Sequence, residues 1–138
     1  MQELINARVH DYYWKDDFSC AVTTLKILSE IYNLELQPQV IEAVFGLNAG
    51  RCGLQCGLVE GTLLFIGMYG RKKQTDNTAV VALCRLFCQE FQEQFGSMLC
   101  SQLRPEGFSP SNPPHLCEQL TKQAVLFSME FIEKNIGK

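Results

Sequence analysis

Apolar side chains that recur every three or four residues are the feature that most constrains the fold of this 138-residue chain. The clearest stripe covers residues 18–32, where it follows Asp16, Asp17 and Ser19, residue types that cap the first turn of a helix. No segment of useful length alternates apolar and polar residues, which is the pattern of a half-buried strand. The sequence therefore predicts an all-α fold.

Other segments carry helical periodicity or helix-start signals. The predicted helices span residues 38–45, 54–69, 77–95, 98–103 and 112–134, with a weaker turn or helix over 1–12. Glycine punctuates the loop 46–53, and four prolines lie within residues 104–114, which predicts a second loop. We expect five or six helices in an irregular bundle that forms a single domain over residues 1–138.

Charge and hydropathy argue against two classes of function. The net charge is −3, and the basic residues are scattered apart from Arg71, Lys72 and Lys73, so we expect no nucleic-acid binding. The most apolar run, residues 58–69, is interrupted by Glu60 and is shorter than the ~20 residues of a spanning helix, so no membrane insertion is expected. Residues 1–15 carry charges where a secretory signal has an apolar core, which predicts a cytoplasmic protein.

Seven cysteines are the unusual part of the composition. The number is odd, and the fraction lies below the ~8–10% that is typical of small disulfide-stabilised proteins. A cytoplasmic protein also experiences a reducing environment. We therefore expect thiols that are reduced, bound to metal or cycling between redox states.

Most of these cysteines fall at predicted helix starts: Cys20, the pair Cys52 and Cys56, Cys100 and Cys117. A helix N-terminus carries partial positive charge and N–H donors without intrahelical partners. Both features stabilise a thiolate, the form that attacks disulfides or binds metal. The pattern predicts a site of activated thiols if the helix starts converge.

The remaining candidates each have two interpretations. Cys84 and Cys88 lie four residues apart on the apolar stripe of a predicted helix. They are either core residues or a metal-binding pair. Glu60 follows Cys56 in an apolar stretch, where a buried carboxylate is costly unless it is paired. It is either a functional residue (a metal ligand or proton acceptor) or a residue that faces solvent or pairs with an arginine. His115 precedes Cys117 by two residues. Its imidazole either promotes ionisation of the Cys117 thiol or belongs to a surface histidine.

The order of the cysteines resembles the C_GCAxxG_C_C family of redox-active proteins. Members are helical and of similar length, with an early Cys, a Cys-Gly-Ala-x-x-Gly element, a Cys after Phe-Gly-Ser and a final Cys. The matching positions here are Cys20 in Phe18-Ser19-Cys20-Ala21, Cys56 in Cys56-Gly57-Leu58-Val59-Glu60-Gly61, Cys100 after Phe95-Gly96-Ser97, and Cys117. The resemblance covers residues 18–130.

The resemblance implies redox or metal-cluster chemistry and names no substrate. Two departures concern the site. Leu58 replaces the alanine of the pattern, and Cys52, Cys84 and Cys88 are additional to it. An alternative alignment places the central element at residues 52–57, although the downstream glycines favour the alignment that begins at Cys56.

Three hypotheses follow for the function. In the first, Cys56 attacks a disulfide and Cys20, Cys100 or Cys117 resolves the product, with an unknown redox partner. In the second, Cys20, Cys56, Cys100 and Cys117 bind zinc or an iron–sulfur cluster, with Cys52 and Glu60 as further candidate ligands. In the third, the chain is a helical interaction module with structural cysteines. A homodimer is compatible with all three.

Overall fold

The computed structural model describes residues 1–47, 54–103, 111 and 113–137. Over these residues it contains seven α-helices and one short 3-10 helix. They are α1 (Gln2–Trp14), α2 (Cys20–Ile31), α3 (Pro38–Val44), α4 (Gly57–Lys72), α5 (Asn77–Phe95), α6 (Cys100–Leu103), the 3-10 helix (Pro114–Cys117) and α7 (Glu118–Asn135). The prediction of an all-α fold is confirmed.

The described residues form seven α-helices, one more than the expected five or six, because the weakly predicted first segment is itself a helix. The weakly predicted first segment is a full helix, α1, which buries Ile5, Val9 and Tyr13 at four-residue spacing. The single turn α6 lies within the helix predicted over residues 98–103 and begins two residues later. Residues 54–56, which were predicted to begin α4, are extended instead, and the helix begins at Gly57.

The second helix, α2, lies at the centre of the molecule. It buries nine of its twelve residues, and Ser19 caps it by accepting a hydrogen bond from the N–H of Val22 at 3.3 Å. Among the described elements, α2 makes its most extensive contact with α4 and also touches α1, α3 and α7. A helix that is covered on nearly all sides fixes the position of its own first residue, Cys20.

The two longest helices, α5 and α7, pack against each other through aromatic side chains. Phe87 of α5 lies 5.2 Å from Phe131 of α7 between ring centroids, at 77°, and Phe95 lies 5.6 Å from Phe127, at 85°. These edge-to-face geometries are the favoured arrangement of aromatic pairs. The predicted apolar stripe of α5 is therefore a packing face.

Length and apolar composition decide whether a helix can cross a membrane. Within the described ranges, no helix is both long enough and apolar enough to do so.

Candidate functional site

The contact between α2 and α4 brings two of the candidate cysteines together. A Cβ atom on Gly57 would lie 2.7 Å from the backbone nitrogen of Ala21 and 2.9 Å from the Cβ of Cys20. Only glycine allows this approach, because a real side chain would overlap the α2 backbone. Cys56 immediately precedes Gly57, so the first residue of α2 lies beside the start of α4.

One turn later, the same contact is repeated. A Cβ atom on Gly61 would lie 2.6 Å from the carbonyl oxygen of Ala21 and 2.9 Å from the Cβ of Thr24. The two glycines, four residues apart, form a small-residue stripe along which α4 packs directly against the α2 backbone. Their spacing fixes the axial register of the two helices, and with it the placement of Cys20 relative to Cys56.

A short antiparallel bridge attaches Cys100 to the same place. Gln55 and Leu99 pair as an isolated β-bridge. The N–H of Cys56 donates to the carbonyl of Met98 at 2.8 Å, and the N–H of Cys100 donates to the carbonyl of Leu54 at 2.7 Å. The starts of α4 and α6 are therefore joined through their backbones.

The Phe-Gly-Ser segment sets the geometry of that bridge. Gly96 ends α5 in the left-handed conformation, with φ at 85°, and its N–H donates to the carbonyl of Gln92. The hydroxyl of Ser97 then accepts a hydrogen bond from the N–H of Leu99 at 3.0 Å. This turn redirects the chain after α5 so that Leu99 reaches Gln55.

A buried tyrosine connects the other side of Cys20 to α7. The hydroxyl of Tyr13 donates to the sulfur of Cys20 at 3.1 Å and lies 2.6 Å from the hydroxyl oxygen of Thr121. Burial raises the pKa of Tyr13 well above its usual value, and charge on Cys20 or Cys117 raises it further. The 3-10 helix that ends at Cys117 contacts α1, the helix that carries Tyr13.

The four cysteines form an ordered series rather than a tight cluster. Charge on Cys20 or on Cys100 raises the pKa of Cys56. Tyr13 hydrogen-bonds to Cys20, and charge on Cys117 raises the pKa of its phenol. All four lie at a helix start, as the sequence predicts. Cys56 and Cys117 are buried, whereas Cys20 and Cys100 are partly exposed, and all four are thiols.

The expectation of a lowered pKa at each helix start is wrong for Cys56. Burial raises the pKa of its thiol to about 12, and charge on Cys20 and Cys100 acts in the same direction. The backbone N–H groups of Leu58 and Val59 lower the pKa but do not compensate. Removal from water outweighs the partial positive charge of the helix terminus.

We expect Cys56 to react with iodoacetamide at pH 8 more than about a hundredfold more slowly in the folded protein than in the urea-unfolded chain, because only the thiolate reacts. Peptide mass spectrometry of timed samples measures the rate, with Cys100 as the internal reference. Similar rates of Cys56 in the folded and unfolded chain would contradict the burial of this thiol.

Glu60 lies one turn after Cys56, on the partly exposed side of α4. Its Oε1 atom is shielded from solvent, and no residue in the described part of the chain hydrogen-bonds to it. Burial raises the pKa of this carboxyl above its usual value. The predicted roles of Glu60 as ligand or proton acceptor stay predictions.

We expect Glu60→Gln to raise the free energy of unfolding at pH 7 by about 0.5–1 kcal/mol, since it removes a partly desolvated charge. Folding raises the pKa of Glu60, so the folded state favours the protonated carboxyl. The stability that this carboxyl contributes is fully present below its unfolded pKa and is lost as the pH rises through its folded pKa. The advantage of the variant should therefore shrink as the pH falls towards 4. Urea unfolding at several pH values, with the exposed Glu93→Gln as control, measures this difference, and a destabilised variant would contradict it.

The other candidates lie outside the series. Cys52 falls outside the described residues. Cys84 and Cys88 are partly buried on α5, where burial raises the pKa of each thiol. The ring of His115 stacks on the indole of Trp14 with centroids 3.9 Å apart.

Metal binding was the second expectation from the sequence. Among the residues with described positions, no three His, Cys, Asp or Glu side chains are grouped closely enough to hold a metal ion. The zinc and iron–sulfur hypotheses stay predictions.

Comparison with known proteins agrees with the order of the cysteines. The family described as "Putative redox-active protein (C_GCAxxG_C_C)" matches residues 18–131, most of the chain. The chain belongs to this family. No curated protein and no solved structure matches this chain.

The structure gives physical reasons for the elements of the C_GCAxxG_C_C pattern in this chain. The paired glycines allow α4 to reach α2. The Phe-Gly-Ser turn brings Leu99 to Gln55, and the bridge between these two residues holds Cys100. Leu58, which departs from the alanine of the pattern, is 1% exposed and belongs to the core.

Two residues of the site were not anticipated from the sequence. Tyr13 and Thr121 form the hydroxyl contact beside Cys20, and both are buried. The spacing of Tyr13 from Ile5 and Val9 would have placed its ring in the core. No local signal shows that its hydroxyl meets a cysteine seven residues later.

Proposed function

We propose that this protein carries out thiol–disulfide exchange, with Cys20 as the attacking thiol and Cys56 as the resolving thiol. The observation that carries the proposal is the approach of α2 and α4 at Gly57, which places the partly exposed Cys20 beside the start of α4. Membership of a family described as redox-active supports it.

The proposal reverses the roles expected from the sequence, because the two thiols differ in exposure and protonation. Cys20 is partly exposed, lies at the first position of α2 and accepts a hydrogen bond from Tyr13. Both the helix terminus and the donor stabilise a thiolate there. Cys56 is 4% exposed and its pKa is raised to about 12, so it keeps its proton while the substrate approaches.

The reaction then proceeds in two exchanges. The Cys20 thiolate attacks one sulfur of a substrate disulfide, which forms a mixed disulfide and releases the other half as a thiolate. Cys56 next attacks the Cys20 sulfur, which breaks the mixed disulfide, and its proton passes to the departing thiolate. The substrate gains two electrons and the protein is left with a Cys20–Cys56 disulfide.

The high pKa of Cys56 is compatible with the second step. A thiolate of higher pKa is intrinsically more nucleophilic, and its attack here is intramolecular, which compensates for its small ionised fraction. A dithiol donor would return the protein to its reduced form. The cytoplasmic setting expected from the sequence is a reducing environment that would supply such donors.

The proposal is tested by mixing pre-reduced protein with a small aromatic disulfide that releases a coloured thiolate. We expect a rapid phase in the wild-type protein that is lost in Cys20→Ser and retained in Cys84→Ser, which removes a thiol outside the site. A rapid phase that survives Cys20→Ser would overturn the assignment of Cys20 as the attacking thiol.

A further inference from the structure

We propose that Tyr13 is a positioning residue that directs the redox reaction to Cys20 through a relay of hydroxyl groups from Thr121. The inference rests on the function proposed above and deepens it, since it identifies the group that prepares the attacking sulfur. Tyr13 precedes residues 18–131, so the family match does not include it.

The directions of the hydrogen bonds in this relay follow from the donors available. Tyr13 has one hydroxyl hydrogen, and it points to the sulfur of Cys20 at 3.1 Å. The 2.6 Å contact with Thr121 is then made by the threonine hydroxyl, which donates to the tyrosine oxygen. Consecutive hydrogen bonds in one direction strengthen each other when they are buried.

The surroundings keep this relay in place. Tyr13 is 2% exposed and Thr121 is fully buried, so water does not compete for either hydroxyl. The three residues come from α1, α2 and α7, so the relay lies where these helices meet. Near the same junction, Glu118 accepts hydrogen bonds from the indole of Trp14 at 2.8 Å and the ring of His10 at 3.2 Å.

The relay favours the reactive form of Cys20 over its resting form. A neutral thiol is a weak hydrogen-bond acceptor, whereas a thiolate accepts a charge-assisted bond that is considerably stronger. Tyr13 therefore stabilises the Cys20 sulfur most when it is charged, both as it attacks a substrate and as it leaves during reduction. Burial keeps the phenol protonated, because it raises the pKa of Tyr13.

The experiment compares iodoacetamide alkylation of Cys20 and of Cys100 in the same full-length protein at one pH. Tyr13→Phe should slow Cys20 by about tenfold and leave Cys100 unchanged, since it deletes only the hydroxyl. Thr121→Val should slow Cys20 by about threefold, and Thr121→Ser should restore the wild-type rate. The double variant Tyr13→Phe/Thr121→Val should be no slower than Tyr13→Phe, because Thr121 acts through Tyr13.

Two matched controls remove buried hydroxyls elsewhere. Tyr32→Phe deletes bonds to Met129 and Glu133, and Thr62→Val deletes bonds to Leu58 and Ser128. Neither should change the rate at Cys20. Thermal unfolding of every variant separates a loss of positioning from a loss of packing.

The outcomes distinguish the two proposals. If Tyr13→Phe and Thr121→Val leave the rate at Cys20 unchanged while the wild-type protein exchanges disulfides, the relay is overturned and the proposed function stands. Equal slowing of Cys20 and Cys100 would also overturn it. If the wild-type protein does not exchange disulfides, the proposed function fails, whatever the alkylation rates show.

Discussion

Gly61→Ala should lower the free energy of unfolding by about 2 kcal/mol, although alanine is the better helix former. The new Cβ atom would lie 2.6 Å from the carbonyl oxygen of Ala21, and a backbone atom cannot move aside as a flexible side chain can. Overpacking of this kind costs about 3 kcal/mol. The helix propensity gained by replacing glycine offsets about 1 kcal/mol.

Gly67→Ala is the matched control, because it makes the same change in the same helix. An added Cβ at Gly67 has no neighbour within 4 Å, so this variant should be stabilised by up to about 1 kcal/mol. Denaturant unfolding followed by circular dichroism measures both. If Gly61→Ala were as stable as Gly67→Ala, the close contact between α2 and α4 would be wrong.

The same substitution should weaken the proposed redox reaction. To accommodate a side chain at Gly57 or Gly61, α4 must move away from α2, which increases the separation of Cys20 from Cys56. The internal disulfide then forms more slowly even where the variant stays folded. The rate of internal disulfide formation should fall in Gly57→Ala and Gly61→Ala and stay at the wild-type value in Gly67→Ala.

Cys56→Ser should halt the reaction after its first exchange. Without a resolving thiol, the mixed disulfide on Cys20 persists until an external thiol reaches it, so multiple turnover should fall by at least about a hundredfold. Mass spectrometry should find half of the substrate attached to Cys20. Stopped-flow absorbance should show one half of the substrate released rapidly, instead of both.

The control for this trapping experiment is Cys84→Ser, which leaves both proposed redox thiols in place. It should resolve the mixed disulfide at the wild-type rate. Full turnover in Cys56→Ser, or a substrate adduct on Cys100 in place of Cys20, would contradict the assigned roles.

The sequence predicts most of the helices because their signals are local. The stripe over residues 18–32 and the Ser19 cap define α2, and Asp76 caps α5 by accepting from the N–H of Ala79. The same local signals place Cys20, Cys56, Cys100 and Cys117 at helix starts. Helix capping and periodicity depend on neighbouring residues, so both are visible without tertiary structure.

The remainder of the site depends on contacts that are distant in sequence. Gln55 and Leu99 pair over one residue each, which is too short to produce an alternating pattern. The hydroxyls of Tyr13 and Thr121 meet across 108 positions of the chain. The protonation of Cys56 also depends on how deeply the folded core buries it, and this burial overrides the local effect of the helix start.

The central claim is tested most directly by mapping the disulfide that forms when the reduced protein receives one equivalent of oxidant. A Cys52→Ser background is needed, because trypsin leaves Cys52 and Cys56 in one peptide. The account predicts that non-reducing digestion and mass spectrometry will find Cys20 linked to Cys56. A product in which Cys20 and Cys56 are not linked to each other, such as one in which either is linked to a cysteine of the tryptic peptide 86–122, would contradict it.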